Sequence, residues 1–169
     1  IMGRPTLIDM IDKSTARVNI GHVKLHYHDH DLPSLETLTK EIEEAHSQGR
    51  GVASHCVTHA ELLLTLAAIE AAGPSIKDRI EHAAIVTQEA LDWIKQLNIG
   101  VVTQPSFIVA REEAYQQDIE QNMHANLWRL GSFQEKEIPL AAGSDAPFGS
   151  FNPWQAIHAA IHRPAIFDK

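Results

Sequence analysis

Five residues able to bind a metal or move a proton recur along this chain, each closing a short apolar run. They are Lys24 in His22-Val23-Lys24-Leu25-His26, His55 in Gly51-Val52-Ala53-Ser54-His55-Cys56 and His82 in Arg79-Ile80-Glu81-His82-Ala83, followed by Gln104 in Val101-Val102-Thr103-Gln104-Pro105 and Asp145 in Gly143-Ser144-Asp145-Ala146-Pro147. Neutral imidazoles ending neighbouring parallel strands are a common way to hold a zinc ion or a similar divalent metal. His55 and His82 are therefore the first metal candidates, against the plainer alternative of two hydrogen-bonded rim histidines. Asp145 has the chemistry of a metal ligand and of a general base toward a metal-activated water; it is equally suited to capping the turn into Pro147. A bare ammonium facing an interior is costly. Lys24 escapes that cost either by carboxylation, which makes it an anionic bridging ligand, or by pairing with Glu81 or Asp145.

The run His26-Tyr27-His28-Asp29-His30-Asp31 presents imidazoles at alternate positions, which an extended chain carries on one face. A solvated loop rich in His and Asp is the competing reading, and the strand-end set takes precedence. Gln104, His26 and His28 are candidates for substrate contact. His22, His46, His59, His124, His158 and His162 fall on helices or turns and read as surface residues. Cys56 has no base aimed at it, so a nucleophilic role is not expected.

The elements that must position these residues alternate between strand and helix. Val23–Tyr27, Gly51–His55, Arg79–His82, Ile99–Thr103 and Ile138–Ala142 read as strands. Between them, Ser34 caps a helix through Leu35, Leu38, Ile42 and Ala45 that Gly49 closes. A second helix runs from Thr58 to Ala72 and stops at Gly73-Pro74, and Thr87 opens a third through Leu91, Ile94 and Leu97. A longer polar stretch, Arg111–Asn122, precedes a helix through Leu127, Trp128, Leu130 and Phe133, and Pro153 opens the last one. Pro5–Ile11 reads as a short helix. Near-continuous apolar strands alternating with helices imply a parallel sheet covered by helices, with the chemistry at the strands' C-terminal ends.

Composition narrows the class. The 169 residues are 44% hydrophobic and 21% charged, ordinary for a soluble globular domain, and suffice to bury roughly 70% of the unfolded chain's surface. A net charge of −8 with no basic cluster argues against nucleic acid or an anionic membrane as partner. No apolar run is long enough to span a bilayer, and a single cysteine excludes an internal disulfide, so a cytoplasmic location is expected.

Taken together, Lys24, Ser-His-Cys-Val-Thr around His55, Arg-Ile-Glu-His-Ala around His82, Gln104-Pro105, and Gly-Ser-Asp-Ala-Pro around Asp145 resemble the second half of a metal-dependent amidohydrolase. The likeness is to the branch called amidohydrolase family 3 and runs from about Gly21 to Arg163. It implies a (β/α)8 barrel in which one or two divalent ions, zinc foremost, activate water to hydrolyse carbon–nitrogen bonds other than peptide bonds in a small amide-like substrate. By position, His55 and His82 would be the ligands of strands five and six. Asp145 would be the strand-eight ligand and proton shuttle, with His82 beside it in catalysis, and Lys24 the strand-four bridging lysine.

The family's first-strand His-x-His pair and its flanking β-sandwich fall outside this likeness, and His26-x-His28, which follows the strand-four lysine, does not take that role. The expected architecture is α/β: a partial TIM-like (β/α) barrel of about five parallel βα units over residues 21–169, after a poorly defined N-terminal segment, 1–20. Both outer strands of such a sheet would expose unpaired backbone, so homo-oligomerisation through the edge strands is expected. An ester or lactone hydrolase on the same scaffold, or a non-catalytic barrel fragment that works only in an assembly, are the alternatives.

Overall fold

Five short strands align in parallel, in chain order, in the computed structural model, which describes residues 2–4 and 19–167. They are β1 (Val23–Leu25), β2 (Val52–Cys56), β3 (Arg79–His82), β4 (Gly100–Thr103) and β5 (Leu140–Ala142). Helices α1 (Leu35–Ser47), α2 (His59–Ala72) and α3 (Gln88–Leu97) make the first three crossovers. Each begins at a residue suited to the task. Ser34 Oγ accepts from Thr37 N at 3.2 Å, and Thr87 Oγ1 accepts from Ala90 N at 3.3 Å. Thr58 and Glu61 form a reciprocal capping box at the start of α2. α1 ends near Gly49 at φ 71, and α3 ends at Asn98 with φ 54, both left-handed positions that stop a helix.

One face of the sheet packs on these helices. Leu38, Ile42, Leu62, Leu66, Ile69, Leu91 and Ile94 meet Val52, Ile80 and Val101 in a fully buried core. Gly51 permits the close approach of two loops, because a Cβ there would lie 2.3 Å from Lys77 O. The same end of the sheet is tied by buried Asp78, whose Oδ1 accepts from Val52 N at 3.0 Å and meets His46 Nε2 at 2.9 Å. His46 thus anchors a carboxylate and is not the free surface residue its helical position suggested.

The polar stretch after β4 is more ordered than its composition suggests. After α4 (Ser106–Ala110) it holds α5 (Glu112–Asp118) and the start of a 3-10 turn at Gln121–Asn126, before α6 (Leu130–Glu135). Leu127 is not helical; it pairs with Ile85 in an isolated antiparallel bridge, flanked by Val86 N→Asn126 O at 2.9 Å and Trp128 N→Ala84 O at 2.8 Å. The insertion therefore straps itself across the loop that leaves β3. Arg163, after α7 (Pro153–Ile161), donates to the carbonyls of Trp128, His124 and Phe167 and fixes the strap from behind. His124 is buried in this second cluster, its Nε2 bonded to Ile119 O at 2.9 Å, which corrects its reading as a surface residue.

The strands are shorter than their apolar runs. β1 stops at Leu25, leaving His26 and Tyr27 beyond it, and β5 starts only at Leu140. On the outer side of β1, Gly3 makes a parallel bridge to Val23, and Lys24 N donates to Gly3 O at 3.0 Å. β5 pairs only with β4 among the described strands. The expected helix at Pro5–Ile11 lies outside the described residues.

Candidate functional site

Sheet register predicts which face each rim residue occupies. Lys24 is opposite Ala53, His55 opposite Glu81, and Cys56 opposite His82. Side chains alternate with period two, so Lys24, His55 and Glu81 share the face away from the helices, while Cys56 belongs to the helix-covered core. Simple alternation would send His82 into that core beside Cys56. Instead, His82 and Ala83 take φ of 72 and 50, and the left-handed kink brings the His82 ring to 4.5 Å from that of His55, centroid to centroid. Two consecutive non-glycine residues in this region cost about 1–3 kcal/mol each. The fold maintains that strain where a second imidazole meets the first.

Asp145 is also left-handed, at φ 52. Its turn is closed by Phe148 N→Asp145 O at 2.9 Å and by Gly149, where a Cβ would lie 2.1 Å from Ser144 O. The carboxylate is exposed at the cavity rim.

These residues open onto a cavity of about 590 Å³ at the C-terminal ends of the strands. Lys24, His26, His28, His55, His82 and Asp145 all line it. Gln104 stands behind the wall, its Oε1 2.7 Å from His82 Nδ1. An amide oxygen only accepts, so His82 Nδ1 is the donor, and in the neutral ring Nε2 keeps a free lone pair. The amide nitrogen's approach to Val102 O at 3.5 Å agrees with that orientation. Gln104, expected to contact substrate, is not among the residues lining the cavity and bonds an imidazole that is.

Burial, with His82, His26, Lys24 and His28 nearby, drives the His55 imidazole's pKa down to about 3. His55 is therefore neutral at physiological pH, as a metal ligand must be. Burial likewise lowers the Lys24 ammonium's pKa, opposed by Glu81 and more weakly by Asp145. Glu81 is mainly engaged by Arg79 at 2.7 Å. The imidazoles continue outward as a chain. His26 lies 4.2 Å from His55 and 4.7 Å from His28, and His28 stacks on His30 at 5.6 Å. The donor types suit a divalent ion of zinc-like character. Among the described residues, however, no three His, Cys, Asp or Glu side chains converge closely enough to enclose one. Of the expected ligand set, His55 and His82 are the two whose rings lie side by side.

The rest of the cavity lining went unrecognised in the sequence. Phe107, Arg111, Tyr115, Trp128 and Phe148 line it. Arg111 and Tyr115, four residues apart, carried the signal: that spacing puts both on one helical face. Glu61 also reaches the cavity, but its Oε2 is consumed by Val57 N at 2.7 Å and Thr58 N at 2.9 Å. Cys56 is fully buried, with its thiol pushed up to about 12, which fits the absence of a nucleophilic role.

YtcJ of Bacillus subtilis (strain 168), a protein provisionally named an amidohydrolase, is 27% identical over 136 residues, covering 79% of this chain and 26% of its own. An uncharacterised metal-dependent hydrolase from Pyrococcus furiosus superposes with a TM-score of 0.79 at 25% identity, over 92% of this chain and 38% of that one. A counterpart from Pyrococcus horikoshii OT3 gives 0.77 at 23% identity, over 93% and 37%. The chain spans about a quarter of the curated relative and less than two-fifths of either solved structure. The five parallel βα units are thus part of a metal-dependent-hydrolase type of barrel. A family model described as the amidohydrolase family matches residues 14–168, and the chain belongs to that family.

Proposed function

We propose that this chain carries the catalytic strand ends of a hydrolase that attacks carbon–nitrogen bonds, other than peptide bonds, in a small amide-like substrate. The observation that carries the reading is the strained His82 kink, which sets a tautomer-fixed imidazole against a neutral one at the mouth of a substrate-sized cavity. His55 and His82 would hold a divalent ion, zinc being the first candidate, with Asp145 and Lys24 as further ligands. When bound, such an ion supplies a nucleophilic water near neutral pH and polarises the substrate carbonyl. Gln104 keeps His82 Nε2 free to donate its lone pair. Asp145, exposed on a rigid turn, takes the proton released from the attacking water at its carboxylate and returns it to the leaving nitrogen. Lys24, deprotonated more readily than a surface lysine, is available for carboxylation. His26 and His28 face the substrate from the β1 side.

Ester or lactone hydrolysis would use the same rim, and a set of matched amide, carbamate and lactone substrates, assayed on zinc-loaded protein, separates the two chemistries. Turnover of the amides above the lactones supports the reading; lactone-only turnover replaces it, and no turnover of any substrate favours a fragment that works only in an assembly.

We further propose that a second copy of the chain covers the exposed sheet edge. The support is that Ala141 and Ala142 of β5 are exposed, and α7 presents Trp154, Ile157 and Ile161 at 75%, 48% and 69% exposure. A monomeric mass at micromolar concentration in light scattering contradicts this association. Among the described residues no helix is long and apolar enough to cross a membrane.

A further inference from the structure

The part of the cavity lining that has no role in the chemistry above is built around a cation. Arg111 lies 4.4 Å above the Phe107 ring, a cation–π contact that steadies the guanidinium of an exposed residue. Phe107 is itself 4% exposed, so it forms a fixed platform. The Tyr115 hydroxyl lies beside both Arg111 and Trp128, and the Trp128 ring stands edge-on to Phe107 at 5.4 Å.

No acid is paired with Arg111 among the described residues. Of the carboxylates lining the cavity, Asp145 makes no ion pair with Arg111, and the others are committed elsewhere. Glu61 caps α2 and Asp29 accepts from the Thr58 hydroxyl at 3.2 Å, while Glu112, next to Arg111 in the chain, accepts from Gln116 at 3.2 Å. An arginine held on an aromatic platform in a cavity, without an internal acid, is arranged for an anion from outside. A planar guanidinium fork matches a carboxylate through two parallel hydrogen bonds.

We propose that Arg111, with Phe107, Tyr115 and Trp128 as its apolar surround, is the specificity-determining residue for a carboxylate on the ligand, so that the cavity takes an aromatic or apolar molecule carrying one carboxylate. This deepens the hydrolase reading by naming a substrate class and rests on it only for which bond is broken. With the carboxylate on Arg111, the rest of the ligand occupies the cavity that His55 and His82 also line.

The test uses a shape-matched pair, 3-phenylpropionate and 3-phenylpropionamide, titrated calorimetrically into the metal-free 169-residue chain. The wild type should bind the carboxylate roughly 10- to 100-fold more tightly than the amide, the range for a charged hydrogen-bonded pair. Arg111→Met should bring the two ligands to within about threefold of each other, and Arg111→Lys should restore part of the preference. Exposed Arg111 makes no internal ion pair, so these variants should retain the wild-type far-ultraviolet circular dichroism. Equal or absent binding of both ligands to the wild type overturns the proposal. So does an undiminished preference in Arg111→Met, or its loss in Lys24→Met with Arg111 intact. Because neither metal nor turnover enters the measurement, lack of hydrolysis would count against the hydrolase reading alone.

Discussion

Replacing Gln104 with leucine removes the acceptor that holds His82. Both residues are buried, at 4% and 6% exposure, and their bond is 2.7 Å long. The His82 Nδ1–H would then be left unpaired away from water, at a cost of about 1–3 kcal/mol. The ring can avoid this by moving its proton to Nε2, which costs less in stability but removes the lone pair that faces the cavity. Loss of a partner of this kind typically weakens metal affinity about 10- to 100-fold. Two readouts follow from one variant. Nitrogen-15 spectra of histidine-labelled protein should show His82 protonated at Nδ1 in the wild type and shifted toward Nε2 in Gln104→Leu. Zinc affinity from competition with a chromophoric chelator should fall by the stated factor. Gln104→Glu keeps an acceptor in place and should retain the wild-type tautomer. An unchanged tautomer together with unchanged zinc affinity in Gln104→Leu would refute the reasoning.

Four further outcomes are expected. Gly51→Ala puts a Cβ 2.3 Å from a backbone oxygen, so a urea melt should show destabilisation of about 1–3 kcal/mol or more. Thr58→Ala removes one side of the α2 capping box and should cost about 1 kcal/mol in the same assay. Cys56, fully buried with its thiol raised to about 12, should resist iodoacetamide at pH 8 in native buffer and react only on unfolding. Because the folded thiol's pKa lies above the unfolded value, its burial stabilises the fold below about pH 9. That contribution declines as pH rises from there toward 12, and Cys56→Ala should flatten the alkaline loss of stability.

Much of this architecture was legible from spacing alone. Thr58, Thr87 and Ser34 each cap the helix they precede, and apolar runs ending in His55 and His82 are parallel neighbours, because local capping chemistry and strand periodicity act over a few residues. The His82 kink was not legible. Period-two alternation puts that side chain in the core, and only the tertiary setting pays for φ 72. The bond from Gln104 to His82 spans two strands, so no local pattern announces it. The Arg111–Asn122 stretch misled for a related reason. Its polar composition hides two helical segments whose stability comes from contacts with Phe167 and with the loop after β3. His124 looked like a surface residue because its partners come from the far end of the chain.

The central claim is that His55 and His82 together hold a divalent metal. Its most direct measurement is elemental analysis, after zinc loading and exhaustive dialysis, of the wild type beside His55→Ala and His82→Ala, with folding monitored by circular dichroism. Stoichiometric zinc in the wild type and its loss from both folded variants is the predicted result. Zinc retained undiminished in His82→Ala, or absent from the wild type, would contradict the assignment.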